Sequence, residues 1–522
     1  MIPILDSRRM RAADEAAIRA GIPSLTLMEN AAAGVARAVL DRVPRGGEVV
    51  VVCGPGNNGG DGLAAARILR EVFRVRVFTL RDPDAYRGDP AVNAARAREA
   101  GVKLESLAAG EGMGELARAL TEAQGIVDAL FGTGLDRPLE GPALAAVEAI
   151  NRASRPVVAA DVPSGLSSDT AELIGESVRA SVTVAFAAPK ICHAFPPARR
   201  RCGRLVVHDI GIPRPLMEPE GLSLSLATAD GVGEILSPRD PGANKGDFGR
   251  VAIVAGSRGK TGAAVLAARG ALRGGAGLVT VFCPASLEPV VVAALPEAMT
   301  RGMPEREGAL DAPAGGELVR GLEGFDAAVV GPGLGTSPPT VAALQRLLAE
   351  TRLPIVLDAD GLNAFAGRAG ALASRAGSLV ATPHPGEAGR LLGRTAKDVQ
   401  ADRLGAAREL ARKTGGCVLL KGEASLTATP DGRVVVNSSG TPLLATAGSG
   451  DVLSGLIAAL LAAGSSDRDA AASGAWLHGA AAERLEEVLG DAGLLAHEIA
   501  DAVPGVRREL FSGGRKRKTG KR

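Results

Sequence analysis

At 522 residues the chain is longer than one ordinary hydrophobic core organises, so at least two domains are expected. Glycine is abundant at 69 residues while aromatics make up 2 %, which leaves the cores to Ala, Val, Leu and Ile, as in buried parallel strands and their helices. A formal net charge of +2 argues against a nucleic-acid partner, and five scattered cysteines without C-x-x-C spacing argue against a disulfide framework or a zinc site.

Those cysteines (Cys53, Cys192, Cys202, Cys283 and Cys417) fit a reducing cytoplasm. Met1–Asp6 lacks the basic and apolar regions of a secretory signal, and the longest apolar helix candidate, near 453–463, is too short to span a bilayer. A soluble cytoplasmic protein with no membrane partner is expected.

In chain order, residues 15–40 predict two helices broken at Pro23-Ser24. Gly46-Gly47 then turns into Glu48–Cys53, a short β-branched run that reads as a fully buried strand. Strand-like runs recur at Val75–Leu80, Gly125–Ala129, Val157–Asp161, Val182–Ala187 and Leu205–Ile210, with helical stretches between the earlier ones. This alternation predicts a doubly wound sheet with right-handed crossovers. From Pro213 to about Leu224 the pattern lapses into a Pro- and Glu-rich composition suited to a linker. A second series of central strands follows at Arg250–Val254, Gly277–Phe282, Phe325–Gly331, Pro354–Asp358, Ser378–Thr382 and Gly416–Lys421. The two halves share no alignable repeat, which points to fusion rather than duplication. The basic run Gly513–Arg522 reads as an unstructured, solvated tail.

After Glu48–Cys53, the glycine-rich turn Gly54–Gly62 leads into a helix expected over Leu63–Arg70. Glycines let backbone approach a diphosphate, and Asn57, Asn58 and Asp61 add polar side chains; the alternative is a tight left-handed turn that only begins the helix. Two further strand ends carry aspartates: Asp128, ahead of Ala129–Pro138, and Asp161, ahead of Val162-Pro-Ser164. Open α/β sheets bind ligands at such ends, although a lone aspartate there is more often a helix cap. Asn58, Asp128 and Ser164 offer oxygens that suit potassium or another s-block ion better than zinc, and Asp161 can serve as a base.

Together with Ser24–Ala32 and Thr183–Lys190, these motifs fall in the order of the NAD(P)H-hydrate epimerase domain, which residues 1–215 closely resemble. The resemblance implies that Asn57, Asn58, Gly59, Gly60 and Asp61, with Gly132, Thr133, Gly134, Leu135, Asp136, Arg137 and Pro138, hold a damaged dinucleotide. It implies potassium at Asn58, Asp128 and Ser164. It also makes Asp161 a substrate contact and the catalytic acid/base that interconverts the two C6 epimers of the hydrated nicotinamide.

In the second half, Thr446-Ala-Gly-Ser-Gly-Asp451 runs directly into an apolar helix, so its N–H groups can face an anion at a positive helix end. Asp451 either caps that helix or takes a proton from a hydroxyl being phosphorylated. The glycines, Ser449 and Asp451 in one turn favour the base, since phosphoryl transfer needs charge stabilisation and an oriented nucleophile. Lys421–Ser425 follows a strand and can meet a nucleotide, Gly331–Gly335 lets backbone approach a ligand, and His384 stands between two prolines where a ligand contact is favoured.

With Asn244–Arg250, Ala255–Ser257 and Asp358–Asn363, these motifs resemble the ADP-dependent NAD(P)H-hydrate dehydratase over about residues 225–510. That family has a ribokinase-like fold. The resemblance implies that Lys421, Gly422, Glu423, Ala424, Ser425 and Gly450 bind the adenine nucleotide. It implies that Ala263, Gly335, His384 and Asp451 touch the hydrate, with Asp451 catalytic. One position departs: Ala447 stands where the family usually has glycine, and its methyl narrows the anion hole if that position requires positive φ.

The expectation is therefore an α/β protein with a Rossmann-like epimerase domain (1–215), a linker (216–224), a ribokinase-like dehydratase domain (225–511) and a basic disordered tail (512–522). It would equilibrate the R and S hydrates of NADH and NADPH, then phosphorylate the S hydrate with ADP and eliminate phosphate, leaving AMP. The resemblance implies K+ in the first domain, ADP as phosphoryl donor and Mg2+ in the second. Partners are expected to be small molecules, and the chain a homo-oligomer. The alternative is a kinase for a small vitamin-precursor alcohol, with a non-catalytic N-terminal binding domain.

Overall fold

Runs of β-branched residues without polar alternation build the first sheet. Its strands are Glu48–Cys53 (β1), Arg74–Thr79 (β2), Lys103–Ser106 (β3), Gly125–Ala129 (β4), Val157–Ala160 (β5), Val182–Phe186 (β6) and Arg204–His208 (β7). The computed structural model describes residues 1–107, 112–218 and 221–518, with side chains through 511. It divides into two compact units, Ile2–Leu222 and Ser223 onward with Met1.

In the first unit the strands lie in the order β3-β2-β1-β4-β5-β6-β7, all parallel. Strand order reverses between β1 and β4, which opens a crevice at their C-terminal ends. Successive β1 residues feed opposite cores: Val49, Val51 and Cys53 join one, Val50 and Val52 the other. The helices Ser24–Leu40 (α1) and Asn57–Leu69 (α2) cover the first of these faces. β3 was not foreseen, because a sheet-edge strand reading Lys-Leu-Glu-Ser carries no apolar run.

α2 corrects one expectation. It begins at Asn57 with Gly56 as N-cap, not at Leu63, so the supposed loop is the first two turns of the helix. None of its glycines adopts positive φ, which removes the left-handed-turn alternative. They are small because of crowding: a Cβ on Gly59 would lie 2.0 Å from the Gly54 carbonyl oxygen, and one on Gly62 2.5 Å from Ala129 Cβ.

The second unit is built on Leu224–Ala227 (β8), Arg250–Val254 (β9), Leu278–Pro284 (β10), Met299–Met303 (β11), Ala327–Val330 (β12), Ile355–Leu357 (β13), Leu379–Ala381 (β14), Cys417–Leu420 (β15), Leu426–Ala428 (β16) and Val434–Asn437 (β17). Their order is β8-β17-β16-β15-β14-β13-β12-β9-β10-β11. Pairing is parallel from β11 to β15, antiparallel through β16 and β17, and parallel again at β8. The sequence missed β8, β11, β16 and β17: β8 starts inside the expected linker, β11 is exposed on alternate residues, and β16 is only three residues long.

Three helices matter for the site: Thr261–Gly274 (α3), Pro385–Leu392 (α4) and Ser449–Ala462 (α5). α3 and α5 cross in contact along small residues. A Cβ on Gly455 would lie 1.9 Å from the Ala267 oxygen, and one on Gly270 2.2 Å from the Val452 oxygen. That crossing fixes where α5 starts. The last helix, Ala496–Lys518, runs on through the first part of the segment expected to be unstructured, because an established helix extends at the cost of one residue per added bond. Residues 519–522 of that tail and 219–220 of the expected linker lie outside the described residues. No helix among the described residues is long and apolar enough to cross a membrane.

Candidate active sites

In the first unit, a cavity of about 610 Å³ occupies the crevice beyond β1, β4 and β5. Asn57, Asn58, Asp61, Gly132, Thr133, Gly134, Leu135 and Asp161 line it, with Asp14 from the helix Ser7–Arg19, Met28 from α1, and Lys190. The other predicted substrate residues do not: Gly59 and Gly60 are buried within α2, and Asp136, Arg137 and Pro138 are exposed on the chain beyond Leu135.

Asp161 follows β5 with φ of 61°, a backbone state that a non-glycine residue holds only when its surroundings impose it. Its Oδ1 accepts from the Phe186 amide at 3.0 Å and from Lys190 Nζ. Lys190 is fully buried and also donates to the Phe186 carbonyl at 3.0 Å, so its charge is matched rather than stranded. Oδ2 of Asp161 faces Gly132: a Cβ there would lie 3.6 Å from it and 3.3 Å from Asn58 Oδ1. Burial raises the Asp14 carboxyl to about 6, with Lys190 opposing and Asp161 adding to the rise. Asp61 is pushed well above the usual carboxylate range by burial, then by Asp161 and Asp14.

Below this, Asp128 is fully buried and accepts from Ser164 Oγ at 2.6 Å, the Ser164 amide at 2.8 Å and the Leu130 amide at 3.3 Å. Burial nevertheless raises its carboxyl to about 6, against the Ser164 bonds. Asn58 Nδ2 is buried without a protein partner. The Asn58 amide oxygen, the Asp128 carboxylate and Ser164 Oγ are all oxygen donors, the last two joined by the 2.6 Å hydrogen bond. The chemistry fits a hard monovalent cation.

In the second unit, Gly448 is the N-cap of α5 at φ of 87°, with no side chain capping. Asp451 therefore does not cap the helix, and that alternative falls. Ala447 is not at positive φ, so its methyl meets no backbone restriction. Lys421 Nζ lies 2.8 Å from Asp358 Oδ1, and Ser454 Oγ donates to Asp358 Oδ2 at 2.6 Å. A Cβ on Gly450 would sit 3.3 Å from Lys421 Nζ, so the anion turn and the lysine converge. Burial alone would lower the Lys421 pKa; Asp358, Glu387 and Asp451 turn the shift upward. The Asp451 carboxyl is raised to about 7, by burial first and then by Asp358, with Lys421 opposing and Glu387 and Asp360 adding.

Asp360 and Glu387, which act on the Asp451 carboxyl, are also the neighbours of two predicted residues, Gly335 and His384. The Gly335 amide donates to Asp360 Oδ2 at 2.8 Å, and Lys260 Nζ is 3.2 Å from that oxygen. Ala263, in the first turn of α3, faces Gly333, where a Cβ would be 3.0 Å from its own. His384 is the N-cap of α4: its Nδ1 accepts from the Gly386 amide at 2.9 Å, which places the ring proton on Nε2, 3.5 Å from Glu387 Oε1. Lys421–Ser425 forms the turn between β15 and β16, closed by the Gly422 amide donating to Ser425 Oγ at 3.2 Å, with Ala424 at φ of 51° and Glu423 exposed.

Sequence reasoning assigned no role to Lys190, Asp14, Asp358, Ser454 or His478. His478 donates from Nε2 to the Ser449 carbonyl at 2.9 Å and stays neutral, since burial lowers its pKa to about 4. Asp358 carried the same strand-end signal as Asp128 and could have been found by it. Ser454 sits in the apolar helix α5 and His478 in the small-residue stretch of the helix Asp467–Leu489, where no pattern marks them.

The comparisons with known proteins cover both units. A family profile described as NAD(P)H-hydrate dehydratase matches residues 251–505, and one described as YjeF-related protein N-terminus matches residues 24–192. The bifunctional NAD(P)H-hydrate repair enzyme Nnr of Moorella thermoacetica is 42% identical over 495 residues, covering 94% of this chain and 93% of that protein. The enzyme of the same name from Thermofilum pendens is 40% identical, covering 95% and 94%. A solved ADP/ATP-dependent NAD(P)H-hydrate dehydratase from Bacillus subtilis, co-crystallised with ATP/Mg2+, is 31% identical with a TM-score of 0.48, covering 55% of this chain and 98% of that one. The chain belongs to the family of bifunctional NAD(P)H-hydrate repair enzymes.

Proposed function

We infer that this chain repairs hydrated NADH and NADPH in two steps: the first unit interconverts the R and S hydrates, and the second dehydrates the S form with ADP. The observation that carries this reading is that both sites are furnished in one chain. Asp161 faces a cavity at the reversal of one sheet, and Asp451 faces Lys421 and an open helix N-terminus at the other. A kinase with an inert first domain gives no reason for the first of these.

In the first site, Asn57, Asn58 and Asp61 with Gly132–Pro138 hold the substrate, and Asp161 exchanges a proton during inversion at C6. Asn58, Asp128 and Ser164 would hold potassium, which when bound would supply fixed positive charge for an anionic dinucleotide. In the second, Ala263, Gly335 and His384 seat the hydrate while Lys421–Ser425 and Gly450 seat the nucleotide. Asp451 accepts the C6 hydroxyl proton as the oxygen attacks the β-phosphorus of ADP and AMP leaves. Lys421 and the free amides at the start of α5 meet the developing charge. Mg2+ bound together with ADP would offset the charge on its phosphates. Hydroxide is a poor leaving group and phosphate a good one, so the phosphorylated C6 expels phosphate, loses the C5 proton and yields NAD(P)H.

Purified R/S mixtures of hydrated NADH, given ADP or ATP, test this by NADH absorbance. Complete conversion with ADP, abolished in Asp451→Asn, is expected. Conversion of only the S fraction would remove the epimerase, and no NADH with either nucleotide would remove the dehydratase.

A further inference from the structure

The cavity of the first unit is acidic: Asp14, Glu15, Asp61, Asp89 and Asp161 line it against Arg11 and Lys190. Carboxyls gathered there suit a ring that passes through positive charge. The two aspartates nearest its floor are held differently. Asp161 has one oxygen committed to Lys190 and the Phe186 amide, while Oδ2 stays turned toward Gly132. Asp61, in the second turn of α2, is 8 % exposed and makes no hydrogen bond among the described residues.

We propose that Asp61 is the proton donor to the C6 hydroxyl during epimerisation, and that Lys190 is the positioning residue that holds Asp161 by Oδ1 and leaves Oδ2 to its counterpart role, an assignment resting on the epimerase reading above. As the C6–O bond breaks, Asp61 gives its proton to the departing oxygen, which leaves as water, and the N1 lone pair forms a C6–N1 double bond. The ring is then cationic, and the carboxylates around it offset that charge. Water adds to either face of the planar C6, its surplus proton passes to Asp161, and a proton returns through solvent from Asp161 to Asp61. Addition to the opposite face inverts the centre; the C5 hydrogen never leaves, so no NADH forms here.

The surroundings of Asp61 agree with a carboxyl kept protonated. Burial acts first, then Asp161 and Asp14, with no cation of its own to offset them. Glu15 and Arg11 reach the cavity from the same helix as Asp14, Asp89 from the helix Asp89–Glu99, and Cys53 and Asp128 lie behind α2. Lys190 is spent on Asp161. A carboxyl with no bonded partner beside one held by a lysine and a backbone amide is the pairing that an acid and a base in one site require.

The test uses the full chain in water enriched in 18O, with either pure hydrate, following epimer ratio and label at C6. Wild type is expected to gain one 18O per inversion. Asp61→Asn should lower kcat for epimerisation about 10²-fold or more with KM changed less than about threefold, while dehydration of S hydrate and the melting temperature hold, since a buried acid without a partner contributes no stability. Asp61→Glu should recover part of the rate. Lys190→Met should cost a similar factor, and removal of label uptake should accompany every loss. Inversion without 18O uptake, or Asp61→Asn within threefold of wild-type kcat, overturns the assignment while leaving the epimerase intact. A wild-type rate no faster than the spontaneous one removes the epimerase and the assignment together.

Discussion

The two sites answer the same sheet geometry with opposite uses of glycine and charge. In the first, the glycines of α2 are crowded against β1 and β4 and stay in ordinary helical conformation, so they set how near the helix lies rather than shaping a phosphate loop. In the second, Gly448 takes a left-handed turn and leaves the start of α5 without a side-chain cap, the arrangement that suits an anion. Charge follows suit. The first site surrounds one buried lysine with carboxyls, and the second sets one raised carboxyl beside a lysine that is already paired. A motif rich in glycine and aspartate thus says where a site is, and only the backbone state of its glycines says what charge it receives.

Substitutions that separate the sites should break the comparison most sharply. Asp451→Asn is expected to reduce dehydration of S hydrate about 10³-fold or more, leaving epimerisation unchanged, as read by NADH absorbance and by chromatography of the epimers. Asp161→Asn should do the converse, with a loss of about 10²-fold to 10⁴-fold in epimerisation. Lys421→Met should raise KM for ADP, lower kcat, and destabilise the second unit by roughly 3 kcal/mol, because Asp358 is left buried without its cation. Denaturant titration would show that cost.

A subtler contrast lies in pH. Asp451 must be ionised to accept a proton and its carboxyl is raised to about 7, so dehydration should rise as pH increases through about 7. Asp358 contributes to that rise by repulsion, so Asp358→Asn should move the limb to lower pH. A limb that stays in place would show that Asp451 is not the titrating group. The smallest effect is expected at Ala447→Gly, within about twofold in kcat/KM, because that residue occupies an ordinary conformation.

Much of this was legible in sequence. Central strands are long β-branched runs, and the strand-end aspartates Asp128, Asp161 and Asp358 follow them directly. What escaped did so for physical reasons. β3 sits at a sheet edge and is half polar, and β16 is too short to show a period. The start of α2 was misplaced because glycine has poor helix propensity, and only crowding against Gly54, Met28 and Ala129 explains why three of them, Gly59, Gly60 and Gly62, stand in its first two turns. Lys190 lies 29 residues from Asp161, and no local pattern announces that the two will share an oxygen. Among the residues the resemblance assigned, Asp136–Pro138 lie outside the cavity in this structure, and their role in substrate binding stands as a proposal.

The most direct test of two sites acting in sequence starts from pure R hydrate of NADH with ADP. Wild type should convert it fully to NADH; Asp161→Asn should stall beyond the spontaneous rate, and Asp451→Asn should yield S hydrate but no NADH. Mixing the two variants should restore full conversion. If Asp161→Asn alone converts R hydrate at the wild-type rate, or the mixture fails to complement, the division of labour described here is wrong.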